Sequence, residues 1–203
     1  MKLYLSTIGI AMLVISALNI AFGVGSFYYV VIAVLWCTVL QVALDGLIAI
    51  LINKLPDRWF GVDNPLYRVT APERELYKAL RVRRWKDKVW ELGWLGGFSK
   101  KALAAPNDPK YVEKFIIECN KGVLTHRLSY PIGFLAMLTL SHPLSFTIAL
   151  PVAVVNVYLS VLPTIVLRHN TPMLLAVLRR LQKKTKAAPA CENFDQEALA
   201  ISE

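Results

Sequence analysis

The feature that most constrains this chain is a pair of apolar runs near its start, LYLSTIGIAMLVISALNIAFGV and FYYVVIAVLWCTVLQVALDGLIAILI, parted at the turn-forming GVGS. Crossing a bilayer takes about 20 apolar residues, and both runs reach that length. The first could also be a cleaved signal peptide. Its apolar core exceeds the roughly 7–15 residues of such segments and no clear A-x-A site follows, so a membrane helix is expected. Residues 130–167 form a third, almost unbroken apolar stretch, divided unequally by SHP at 141–143. Its first part is short for a comfortable crossing and reads as re-entrant or tilted; 144–167 reads as an ordinary span. With 56% hydrophobic residues among 203, the composition agrees. The expected fold is all-α: an integral membrane protein of two hydrophobic hairpins (about four transmembrane or re-entrant helices) with an interfacial cytoplasmic helical layer.

Charge orients this arrangement. Residues 54–127 carry 16 of the 23 Lys and Arg, six lie from Arg168 onward, and Lys2 completes the set. Neither GVGS nor SHP carries any. The positive-inside rule therefore puts 54–127 and both termini in the cytoplasm. The chain divides into an N-terminal transmembrane hairpin (1–53), a cytoplasmic interfacial segment (54–127), a C-terminal hairpin with a basic end (128–182) and a polar tail (183–203) expected to be disordered.

Within the interfacial segment, Trp59, Phe60 and Tyr67 stand where an aromatic belt belongs. TAPE at 70–73 reads as a capping box opening a helix, with Pro72 suited to its first turn. That helix would bury Leu76, Tyr77 and Leu80 on one side, while Val82, Trp85, Val89 and Leu92 fall on nearly the opposite side. Either the helix breaks near Arg81 or it is covered on both sides. RVRRWKDKVWELGW (81–94) fits a snorkelling interfacial anchor or a cradle in which arginines grip an anionic group. A second helix is expected from Asn107 or Asp108, with Val112, Phe115, Ile116, Cys119, Val123 and His126 along one apolar stripe.

His126 could act as a general base toward a hydroxyl, or be a hydrogen-bonded histidine of the bundle. Glu118 lies eight residues earlier, about 12 Å along a straight helix, so the two cannot pair directly unless the helix bends at Gly122. Glu118 could equally pair with Lys114 or Lys121. Asp45 lies inside the second span, with Gln41 one turn away; it is either functional or bonded to Asn19 or Asn156 of a neighbouring span. The three cysteines and three histidines show no metal-ligand spacing, so neither metal nor cofactor is expected. No nucleic-acid module, glycine-rich phosphate loop or GxSxG is present.

The succession KLPDRWF, ERELYKALRVRRWKDKV, YVEKFIIECNKGVLTHR and LPTIVLRHNTPMLLAVLRRLQKK resembles the glycosyl-4,4'-diaponeurosporenoate acyltransferase family. These are small bacterial membrane proteins of staphyloxanthin-type carotenoid synthesis. The likeness runs from about Lys54 to Lys184, and the first span looks like an addition. The resemblance implies transfer of a fatty acyl chain to a hydroxyl of a glycolipid or glycosylated carotenoid-like acceptor at the bacterial inner membrane. It implies His126 and Glu118 as catalytic residues, and Arg83, Arg84, Trp85, Lys86, Arg168 and Asn170 as substrate-binding ones. The acyl donor would be acyl-CoA, acyl-carrier protein or phospholipid, and the other partners membrane lipids and a lipid-linked acceptor. Lys121, Gly122 and Val123 stand where the family typically has Arg-Ala-Glu, Arg127 stands for a Trp, and Thr171 and Met173 replace two arginines. The lost carboxylate favours an alternative, a non-catalytic scaffold or lipid-binding subunit of a lipid-pathway complex.

Overall fold

A computed structural model describes the backbone of residues 2–89 and 103–200, with side chains for 4–89 and 103–185. Among these residues there is no strand. Five α-helices form: α1 (Lys2–Ala21), α2 (Phe27–Asn53), α3 (Ala71–Ala79), α4 (Pro109–Ile132) and α5 (Leu150–Ala200). Three helical stretches, Tyr4–Ala21, Phe27–Asn53 and Ser145–Thr185, are long and apolar enough to cross a membrane. Their outward residues include Leu13, Ile32, Val39 and Ile50, all more than half exposed, which suits lipid rather than water.

The short segment after α4 changes helix type. α4 ends at Ile132 and the chain continues as a 3-10 helix over Gly133–Thr139. A 3-10 helix rises about 2.0 Å per residue against about 1.5 Å for an α-helix, so seven residues reach further than they otherwise would. Trp36 Nε1 donates to Thr139 Oγ1 at 3.2 Å, placing the end of this segment beside the first half of α2. Gly133 permits the close approach behind it: a Cβ there would stand 2.9 Å from Gln41 Oε1. Gln41 Nε2 donates to the Gly133 carbonyl, and Asn156 Nδ2 donates to Asp45 Oδ1 at 3.4 Å. Of the two neighbours expected for Asp45, Asn156 is therefore the one it meets. Asn19 instead donates to the carbonyls of Ile15 (2.8 Å) and Thr147 (3.0 Å).

Beyond α2 the chain builds a compact polar layer on an apolar floor. Phe60 and Tyr67, on short 3-10 turns, are buried with Ile48 and Ile52 of α2, with Val112, Phe115, Ile116, Cys119 and Val123 of α4, and with Leu167, Leu174 and Leu178 of α5. The apolar stripe expected along α4 is this contact face from Val112 to Val123, while its last expected member, His126, is half-buried outside the cluster, and Asp108 caps the helix by accepting from the Lys110 amide at 2.9 Å. Thr70 caps α3 through the Glu73 amide.

The break near Arg81 is the alternative the chain adopts. Arg81 has φ 50° and ψ 42°, a left-handed conformation that ends α3 and turns the chain into two 3-10 turns, Val82–Arg84 and Lys86–Lys88. The reversal brings Val82, Val89 and Tyr77 into one cluster with Val166 of α5. α3 buries Tyr77 alone of its expected set; Leu76 and Leu80 are 55% and 45% exposed. A nine-residue helix ending in a reversal packs through one face, and these leucines fall outside it. Leu92 and the tryptophans at 90 and 94 lie outside the described residues. α5 continues past Lys183 to Ala200, where the sequence suggests a disordered tail.

Candidate functional site

The charged groups of the layer form two clusters and an open cationic edge. In the first cluster, Arg168 of α5 is 5% exposed and faces α3. Its Nε donates to Glu73 Oε1, and its Nη2 donates to Glu73 Oε2 at 2.6 Å and to the Arg68 carbonyl at 3.1 Å. Tyr77 Oη donates to the same Glu73 Oε1. Burial opposes ionisation of Glu73, but bonds from Arg168 and Tyr77, with a contribution from the Thr70 backbone amide, hold its carboxyl below the usual range. The Tyr77 phenol is pushed up to about 12, by burial first and then by the neighbouring carboxylate.

In the second cluster, Lys121 Nζ donates to Asp57 Oδ1 at 2.6 Å and to Glu118 Oε1 at 3.0 Å, and lies 5.8 Å from the centre of the Phe60 ring. Burial works against the ammonium, yet the two carboxylates outweigh it and raise its pKa. Asn120 Nδ2, next along α4, donates to the Phe60 carbonyl at 2.9 Å.

The open edge lies where the sequence points. Arg83 and Arg84 are exposed, and neither they nor Lys86 forms an ion pair among the described residues. Trp85 is half-buried, its Nε1 donating to the Leu80 carbonyl at 3.0 Å, so its indole braces the reversal after α3. Val82 and Val89, on either side of Arg83 and Lys86, are buried with Val166 of α5, one helical turn from His169. His169 also meets the Tyr77 ring edge-on, with centroids 6.1 Å apart.

The sequence candidates are thus distributed unevenly. Arg83, Lys86, Arg168 and the neighbouring His169 come together around α3 and α5, and Asn170 follows, half-buried, on α5. Arg168 spends its bonds on Glu73 and Arg68, leaving only an enclosed Nη1 without a partner. Glu118 pairs with Lys121, and His126 is half-buried eight residues further along an uninterrupted α4. About 12 Å of helix rise lies between them, so they do not form a direct acid–base pair. The residues that sequence reasoning passes over are Glu73, Tyr77 and His169. The first two carry a local signal, i and i+4 on one helix face; the third sits beside Arg168 in LRHN.

Among the described residues no group of three or more His, Cys, Asp or Glu could hold a metal ion. What remains is an all-helical protein with three helices apolar enough to cross a membrane, a charged layer packed against them, and a cationic edge that forms no ion pair among the described residues. The chain belongs to the glycosyl-4,4'-diaponeurosporenoate acyltransferase family, which it matches over residues 56–180. The family name indicates acyltransferase activity in carotenoid biosynthesis. The match covers α3, the cationic edge, α4 and α5 to Arg180, and leaves α1 and α2 outside. No curated protein and no solved structure matches the chain.

Proposed function

We propose that the protein transfers a fatty acyl chain to a hydroxyl of an amphipathic acceptor, a glycolipid or glycosylated carotenoid-like lipid, at the cytoplasmic face of the bacterial inner membrane. In this reading two hairpins cross from that face, both termini lie on it, and residues 54–127 form the interfacial layer. The observation that carries the reading is the packing of the cationic turn against α5: Val82 and Val89, which flank Arg83 and Lys86, are buried with Tyr77 and Val166, and the Tyr77 ring meets His169 edge-on. Neutral imidazole takes the acceptor hydroxyl's proton as its oxygen attacks the acyl carbonyl carbon. The carbonyl oxygen becomes an oxyanion, which a cation such as Lys86 stabilises. The bond from the acyl carbon to the donor's oxygen or sulfur then breaks, and the imidazolium returns the proton to that leaving group. Arg83 and Arg84, with Asn170, hold the anionic or polar head of donor or acceptor, and Trp85 shapes the edge. Acyl-CoA, acyl-carrier protein and phospholipid all fit a cationic edge.

His126 offers the same proton chemistry from α4, with Glu118 orienting a partner group, and paired variants separate the two bases. Lipid and pigment extracts of cells with and without the gene, read by mass spectrometry, name the acceptor. His169→Ala is then expected to lower acylated product at least 100-fold while His126→Ala retains most of it. The reverse result moves the base to His126. Undiminished product from both variants removes histidine base catalysis, and no acylated product even from the unaltered gene favours a lipid-binding subunit.

A further inference from the structure

Pro151 and Pro163 stand on α5 within residues 144–167, the part of the last apolar stretch that reads as a span. Proline has no N–H, so the carbonyls of Thr147 and Leu159, one turn before, lose their usual helical donor. At membrane depth no bulk water replaces it, and a neighbouring helix must. That helix is α1. Asn19 Nδ2 donates to the Thr147 carbonyl at 3.0 Å, and Tyr4 Oη donates to the Leu159 carbonyl at 3.0 Å. The later residue of α1 meets the earlier residue of α5, so the two helices run antiparallel. The donors stand roughly 22 Å apart along α1 and the acceptors roughly 18 Å apart along α5, and both bonds therefore form in a single register.

The two bonds do different work. Asn19 holds the end of α5 far from the charged layer, whereas Tyr4 holds it just before the layer begins. Pro163 lies between Leu159 and Val166, and Arg168 and His169 follow at once. A proline inside a helix is where that helix bends. The Tyr4 ring also packs against the cluster of Tyr77, Val82, Val89 and Val166, on which the turn carrying Arg83 to Lys86 rests. We infer that Tyr4 is a positioning residue for the cationic edge. Its hydroxyl straps α5 across the Pro163 break, and its ring sets the turn against the strapped helix. α1 lies outside the family match at 56–180, so the matched part of the chain does not contain the strap. The inference rests on where the edge sits in the fold and not on any transfer reaction there.

The test reads geometry in the full chain in detergent. Spin labels on Val154→Cys and Leu76→Cys, both side chains more than half exposed, report the distance from span to layer by pulsed electron paramagnetic resonance. Cys37 and Cys119 are buried, and Cys191→Ser confines labelling to the two introduced sites. Tyr4→Phe removes only the hydroxyl. It is expected to broaden the distance distribution by freeing the bend at Pro163, and to lower the thermal midpoint by about 2–4 °C. Pro163→Ala supplies the missing N–H, so adding Tyr4→Phe in that background should change neither reading further. An unchanged distribution in Tyr4→Phe overturns the inference, even with a thermal shift, because the bond would then be structural alone. Equal broadening in the Pro163→Ala background overturns it too, since the hydroxyl would then act independently of the proline. Should the Pro163 variant fail to fold, Tyr4→Phe against the unaltered chain still decides. No acylated product is read, so failure of the strap leaves the transfer reading standing, and the reverse holds equally.

Discussion

Two charged clusters stabilise the same polar layer by different means. Arg168 is a planar guanidinium almost entirely out of solvent, bound through two nitrogens to one carboxylate and through one of them to a carbonyl. Lys121 is a point charge shared by two carboxylates, of which the Asp57 side chain is 58% exposed. Arginine's fork suits the first geometry, and lysine's compact ammonium tolerates the second. The difference lies in what each partner does when abandoned. Glu73 is held between α3 and α5 and has little access to water, whereas Asp57 can turn outward and recover its hydration.

The largest expected effect follows from that contrast. Arg168→Met strands Glu73 and should cost about 3–5 kcal/mol, read as a loss of midpoint in denaturant or thermal unfolding of the solubilised protein. Lys121→Met should cost less, about 1–2 kcal/mol, and equal losses would erase the distinction between the clusters. Arg168→Lys should recover little of the loss, because an ammonium cannot reproduce the fork.

Titration sharpens the comparison. The Glu73 carboxyl is held below its unfolded value, so its contribution is complete above about pH 4.5 and disappears as pH falls through the folded value. Glu73→Gln should flatten this acid limb. On the alkaline side, the unfolded chain loses the Tyr77 proton near pH 10 while the folded one keeps it to about 12, so stability falls as pH rises between them. Lys121, raised above its ordinary value of 10.5, contributes fully below that pH, and its share is lost as pH rises through the folded value. Tyr77→Phe should remove the earlier part of the alkaline loss and leave the Lys121 part; an unchanged limb would contradict the assignment.

The smallest effect is expected at Arg81. Its left-handed backbone costs an L-residue about 1–2 kcal/mol, and glycine relieves that strain while losing more freedom on folding. Arg81→Gly should therefore change stability by less than about 1 kcal/mol in the same unfolding measurement. A large loss would mean that the Arg81 side chain, rather than its backbone, holds the reversal.

Much of the architecture is legible because it rests on local quantities. Span length needs only a count of apolar residues, and Thr70 and Asp108 announce their helices through chemistry that acts over two or three positions. The conflict of faces around Arg81 signals a break, since one short helix cannot bury Tyr77 and Val82 together without a reversal between them. The 3-10 course of Gly133–Thr139 is less visible: Gly133 reads as one more small residue until Gln41 is seen against it. The candidate site divides in the same way. Its cations stand out as a run from Arg81 to Lys88, but their meeting with His169 depends on a fold that brings α5 back beside α3. No period in the sequence encodes that pairing.

The bond between Arg168 and Glu73 joins positions 95 residues apart, and this has a consequence for how the protein is made. Chains emerge at about 5–20 residues per second, so Glu73 is synthesised roughly 5–20 s before its guanidinium exists. Throughout that interval α3 lacks its principal tie to the bundle, and the cationic turn after it has no α5 to rest on. The layer encoded in the middle of the chain is thus completed only by its last helix.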